Sequence, residues 1–161
     1  VHPRIRDDYY DNKPDPEAFR IFYEKLPHNK IVYNGDLKTP EDVCRILDRF
    51  PDLSHIMLGR GLLTDPFLPE RIHRICSGQE EPVPCVFRER FSDKEKQILS
   101  GFLDELYLEY AQELSEGTAL LKMKDIWNFM KDAFPDQEKT IKEIKKSRTG
   151  QEYRLAVKRL F

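Results

Sequence analysis

The stretch VYNGDLKTPEDV, residues 32–43, runs from a short apolar segment through a glycine turn into a helix start. A second stretch, IMLGRGLLTDPF at 56–67, repeats that order. Thr39-Pro40-Glu41 pairs a capping side chain with proline at the first helical position, where its missing N–H costs nothing. Asp15-Pro16-Glu17 and Asp65-Pro66 have the same form, so three helix starts are expected at nearly even intervals. Apolar residues at helical spacing follow each one: Phe19, Phe22, Tyr23 and Leu26; Val43, Ile46, Leu47 and Phe50; Leu68, Ile72 and Ile75. Between them, 30–34 and 55–58 are short and near-continuously apolar, as strands buried in a parallel sheet are. Val1-His2 reads as the tail of an earlier strand. Residues 1–76 therefore read as a β-α-β-α-β-α series.

The rest of the chain has a different grammar. After a proline-rich joint, SGQEEPVPC at 77–85, the pattern is purely helical. Ile98, Phe102, Leu103, Leu106, Tyr107, Tyr110 and Leu114 form one apolar stripe at helical spacing, which Gly117 is expected to end. Residues 120–134, 136–147 and 150–160 read as three more helices. The expected organisation is an α/β portion over 1–76, a linker over 77–91 and an all-α bundle over 92–161.

Composition bounds the class. The 161 residues are 39% hydrophobic and 35% charged, with a net charge of −2. No run approaches the roughly 18 apolar residues of a membrane span. The opening VHPRIRDDYY is polar, unlike a signal peptide, and lacks an initiator Met, so a piece of something longer is expected. Three cysteines, Cys44, Cys76 and Cys85, are far apart and lack Cys-x-x-Cys spacing. That argues for a reducing, cytoplasmic setting and against a disulfide framework or a metal site.

In parallel α/β folds, ligands sit at the carboxyl ends of the strands. Asn34-Gly35-Asp36 and Gly59-Arg60-Gly61 fall at those ends. Glycine there admits a sharp bend and lets a ligand approach the backbone. One such glycine is usually only a turn. Two at equivalent positions of consecutive repeats, one beside an arginine, fit a phosphate cup.

VHPRIR…Y, VYNGDL…EDV and IMLGRGLL…PF, in that order, resemble the closing portion of the tRNA-dihydrouridine synthases, FMN-dependent TIM-barrel enzymes with a helical C-terminal domain. The resemblance implies an oxidoreductase that reduces uridine in tRNA to 5,6-dihydrouridine. NADPH reduces the flavin, the flavin gives hydride to the base, and a cysteine supplies the proton. It implies that His2 lies beside the flavin and that Arg4 and Arg6 face RNA at the barrel mouth. Asn34, Gly35, Asp36, Gly59, Arg60 and Gly61 would hold the FMN phosphate. Residues 1–76 would be the closing three β/α units of the barrel, and 92–161 the tRNA-binding domain.

The chain departs from the family pattern in places. Pro3 and Ile5 replace the glycine and threonine of the His-Gly-Arg-Thr-Arg motif, and Asp65-Pro66-Phe67 stands where Asn-Pro-Trp is usual. The catalytic cysteine in its Asn-x-x-Gly-Cys-Pro setting is absent, so no catalytic residue is assigned. A whole barrel needs about 250 residues; the chain alone is expected to be inactive. The alternatives are another FMN-dependent barrel with a small-molecule substrate, and a non-catalytic RNA-binding module.

Charge is asymmetric. Residues 92–116 carry two basic against seven acidic side chains, whereas 139–161 carry eight basic against two acidic. Lys139, Lys142 and Lys146 share one helical face, with Ile141 and Ile144 turned elsewhere. A basic face suits phosphate contacts, and with the family resemblance it points to tRNA. His28, His55 and His73 show no ligand spacing. Asp7, Asp8 and Asp11 read as a solvated loop, and Tyr9 and Tyr10 as either base-stacking or packing residues.

Overall fold

The computed structural model describes residues 1–4, 13–26, 29–79 and 90–161. Arg6, Asp7, Asp8, Tyr9, Tyr10, Asp11, His28, Cys85 and the middle of the 77–91 joint lie outside the described residues. The chain divides into two compact units, Val1–Cys85 and Val86–Phe161.

The first unit runs α1 (Pro16–Lys25), β1 (Val32–Tyr33), α2 (Pro40–Arg49), β2 (His55–Ile56), α3 (Arg60–Thr64) and α4 (Leu68–Cys76). The Glu17 N–H donates to Asp15 Oδ1 at 2.9 Å, capping α1. Thr39 and Asp42 cap α2 reciprocally: the Asp42 N–H donates to Thr39 Oγ1 at 3.2 Å, and the Thr39 N–H to Asp42 Oδ2 at 2.9 Å. β1 and β2 are parallel, with Val32 opposite His55 and Tyr33 opposite Ile56. On the other side of β1, the Val1 amine donates to the Val32 carbonyl at 2.6 Å. The Val1 carbonyl accepts from the Asn34 N–H at 3.0 Å. That alternation is the bonding of a parallel neighbour, so Val1 flanks β1 as a strand tail would.

Two sequence expectations need correction here. The ladders are shorter than 30–34 and 55–58, because the chain turns out of β1 at Asn34-Gly35-Asp36, where Asp36 takes a φ of 30°. Asp65-Pro66 also does not start the third long helix. Asp65 ends the short α3, and α4 opens three residues later with Pro69 in its first turn. The buried Asp65 carboxylate accepts from the Phe67 N–H and from Arg71 Nε, both at 3.0 Å, and so links the end of α3 to α4.

The core of this unit gathers Phe19, Tyr33, Leu37, Val43, Ile46 and Phe50. Phe19 meets Tyr33 and Phe50 edge-on, with centroids 4.9 and 5.0 Å away, the arrangement the ring quadrupoles favour. Phe22 and Leu26, expected on the same face, are 48% and 42% exposed.

The second unit packs α5 (Asp93–Glu113), α6 (Glu116–Met130), α7 (Glu138–Lys146) and α8 (Gly150–Lys158), with 3₁₀ turns at Lys131–Ala133 and Pro135–Gln137. Phe91, expected to close the joint, is buried here against Phe134, their centroids 5.4 Å apart. The buried face of α5 is Leu99, Leu103 and Tyr107, whereas Ile98 and Phe102 are half-exposed. Gly117 does not end α5: the break lies at Leu114–Ser115, and Gly117 sits in the first turn of α6, which Ser115 caps.

Polar links cross this bundle. Arg154 donates through Nε and Nη2 to the two oxygens of Asp104 at 2.6 and 2.9 Å. That fork holds the Asp104 carboxyl below its usual range. In the core, the Trp127 indole N–H donates to the Tyr153 hydroxyl at 3.1 Å, and burial pushes that phenol up to about 12.

Candidate functional site

The two glycine turns meet. A methyl group on Gly61 would lie 2.1 Å from the Leu37 carbonyl oxygen and 3.1 Å from Leu68 Cδ2. The start of α3 therefore abuts the turn leaving β1, and only a residue without Cβ allows it. Gly35 is confined too: its methyl would meet the Tyr33 hydroxyl at 2.7 Å and Pro14 Cβ at 3.0 Å. Gly59 is different. No heavy atom lies within 4 Å of where its Cβ would stand, so this glycine opens onto space. Gly61 lets backbone meet backbone, Gly35 makes room for neighbouring side chains, and Gly59 leaves room in front of the turn.

Asp36 is the electrostatic centre. Its two oxygens take one guanidinium each, Arg4 Nη2 on Oδ2 and Arg60 Nη2 on Oδ1. The Arg4 side chain is 3% exposed, that of Asp36 28% and that of Arg60 30%. Arg4 is thus an internal strut joining the Val1 segment to the β1 turn. This corrects the expectation that it faces RNA, because its charged head is out of reach of a macromolecule. Arg60 stays at the surface, while Arg6 lies outside the described residues. Both guanidiniums thus meet Asp36, and Arg60 does so from the same turn as the open face of Gly59.

His2 sits on the same rim. Its Nδ1 contacts the Asn34 carbonyl oxygen, which can only accept, so Nδ1 carries a proton. Tyr33 closes the floor under Gly35. Burial pushes its phenol up, and Asp36 and Asp42 add to that push. His55 starts β2, exposed, with its Nδ1 2.7 Å from Ser54 Oγ, and lies outside this cluster.

What the carboxyl ends of the Val1 segment, β1 and β2 bring together is His2, Arg4, Asn34-Gly35-Asp36 and Gly59-Arg60-Gly61. The dihydrouridine synthase family model matches residues 1–159. The chain belongs to that family. No curated protein matches it. The family consists of flavin-dependent enzymes that act on tRNA, and the match runs through both compact units.

On the helical unit, α7 buries Ile141 and Ile144 and turns Lys139, Lys142 and Lys146 to solvent. Lys142 Nζ lies 3.7 Å from Glu138 on the same helix, an exposed pair of the weak kind. Lys145 and Arg148 are exposed nearby. Sequence reasoning missed the Arg4–Asp36–Arg60 cluster and placed Arg4 on the surface. That cluster has no local signal, since it links residues on different elements.

Among the described residues, no helix is long and apolar enough to cross a membrane.

Proposed function

We propose that this chain supplies the FMN phosphate turns and the tRNA-docking helical unit of an NADPH-using tRNA-dihydrouridine synthase, with residues 1–76 as the closing β/α units of its TIM barrel. The observation that carries this reading is the abutment of the two glycine turns around the doubly bridged Asp36, with Gly59 open beside them. These residues fit an anionic group. Arg60 offers a guanidinium at the turn, and Gly59 leaves the backbone beside it open to a ligand. Asn34, Gly35, Asp36, Gly59, Arg60 and Gly61 would hold the phosphate.

When bound, FMN supplies the hydride that saturates the C5–C6 bond of uridine, and NADPH replenishes it. This chain's own residues do the positioning. Asp36 fixes Arg60 at the rim, and Arg4 anchors Asp36 from beneath. The Nδ1–H of His2 holds its ring against Asn34. The family's catalytic cysteine has no counterpart in the sequence, so no proton donor is assigned to these residues.

The test is Arg60→Ala in the protein that carries this chain. FMN affinity, followed by flavin fluorescence quenching, is expected to fall by about 10- to 100-fold, the cost of one charge-assisted contact. An unchanged affinity in a folded variant would remove Arg60 from the site. A separate variant addresses RNA. Lys142→Glu with Lys146→Glu is expected to weaken tRNA binding while leaving FMN affinity intact. Its log–log salt dependence should be shallower by about two. If both affinity and salt slope stay at the parent values, the α7 face does not touch tRNA.

A further inference from the structure

The outer face of α5 carries apolar side chains that the core of the helical unit does not use. Leu99, Leu103 and Tyr107 point inward. On the opposite side of the same helix, Ile98, Phe102 and Leu108 stand at helical spacing, 51%, 50% and 41% exposed. Gly101 lies among them, and no heavy atom comes within 4 Å of where its Cβ would be. The middle of this face is therefore a notch flanked by two large apolar side chains.

Charge decides what fits there. Lys94 lies on this face toward the start of α5, and Glu105 and Glu109 lie on it toward the end, all exposed. Among the described residues, no ion pair engages any of the three. Two carboxylates against one ammonium repel phosphate, so the face does not suit RNA. It is complementary to itself when reversed. At 1.5 Å per residue, Lys94 and Glu109 each lie about 11 Å from the midpoint of Gly101 and Phe102, on opposite sides. A second α5 laid antiparallel about that midpoint brings each Lys94 level with the other copy's Glu109, about one turn from its Glu105. The same axis seats each Phe102 over the other copy's Gly101 and brings each Leu108 within a turn of the other's Ile98. A parallel copy would instead set like charges against each other.

We propose that the outer face of α5 is a dimerisation surface whose partner is a second copy of this chain, docked antiparallel about a two-fold axis at Gly101–Phe102. Such a contact is isologous: every pair across it occurs twice. The 21-residue helix is about 31 Å long and 10 Å wide, a footprint well under the roughly 800 Å² per partner of a standard interface. The dimer is accordingly a concentration-dependent one.

The test is sedimentation velocity on the protein that carries this chain, over a concentration series, with circular dichroism confirming that each variant is folded. The substituted residues are all exposed, so the fold should survive. The parent is expected to pass from monomer to dimer as concentration rises, and Phe102→Asp to stay monomeric throughout. Lys94→Glu and Glu109→Lys are each expected to weaken association about tenfold, since each reversed pair counts twice. Mixed one to one, these two variants should associate as tightly as the parent, because their reversed charges then face each other across the axis. A parent that stays monomeric over the whole series, as when another segment of the same protein covers the face, would overturn the proposal. So would a dimer that Phe102→Asp leaves intact, or a mixture that associates no better than either variant alone. Loss of tRNA binding by monomeric Phe102→Asp would give the face to RNA instead.

Discussion

Asp36→Asn is expected to destabilise the α/β unit by about 3 kcal/mol, the lower end of the cost of breaking a buried ion pair. Asparagine keeps the shape of the side chain and tolerates the φ of 30° at this position, so the substitution isolates the charge. What it removes is a carboxylate that bridges Arg4 and Arg60. The low end of the range applies because Asp36 itself is 28% exposed, and water partly screens what remains. Arg4, at 3% exposure, is the more buried of the two arginines, so its pairing with Asp36 is the less screened. The measurement is urea unfolding of parent and variant, in which the midpoint should fall with the slope unchanged. Arg60→Met in the same assay should cost less, because it leaves the buried Arg4–Asp36 pair intact. A loss of under about 1 kcal/mol for Asp36→Asn would place this pair among surface bridges of little consequence.

That carboxylate also marks where sequence reading stops. Asp15 and Thr39 are legible as caps, because a cap is a matter of neighbouring residues, and both bond to amides two or three positions on. Asp65 has the same local form, Asp-Pro, and does something else. Its carboxylate reaches Arg71 and the Phe67 amide, α3 has already formed before it, and Pro69 takes the helix start. Local chemistry offers both outcomes, and the packing of α3 decides between them. The stripe on α5 fails for a related reason. Ile98 and Phe102 repeat at the same period as Leu99 and Leu103, so periodicity alone cannot tell which pair faces inward. The neighbours α6 and α8 choose Leu99 and Leu103, and Ile98 and Phe102 are left half-exposed. Gly117 misleads because glycine weakens a helix everywhere except near its ends, and here it stands in a first turn. The two glycine turns were legible because their meaning lies in repetition along the chain. That Gly61 touches the Leu37 carbonyl was not.

Gly61→Ala is the second large effect expected, and it separates packing from ligand binding. Its methyl would stand 2.1 Å from the Leu37 carbonyl oxygen, a backbone atom held between β1 and the capped start of α2. A flexible side chain could rotate away, but this oxygen cannot move without shifting the Asp36–Thr39 segment. Leu68 Cδ2 blocks retreat on another side at 3.1 Å. The cost is expected to reach about 3 kcal/mol, the upper range for overpacking. The start of α3 must also part from the β1 turn, so FMN binding should fall together with stability. Gly35→Ala offers the comparison. Its nearest obstacle is the Tyr33 hydroxyl at 2.7 Å, the far end of a side chain, so a smaller loss of about 1–2 kcal/mol is expected. Urea midpoints and flavin quenching on the same samples check both. Gly61→Ala with parent stability would mean that the two turns do not abut as described, and the phosphate cup would lose its geometric basis. A destabilised Gly61→Ala that still binds FMN with parent affinity, measured below its unfolding transition, would move the phosphate away from α3 and onto the Asn34-Gly35-Asp36 turn alone.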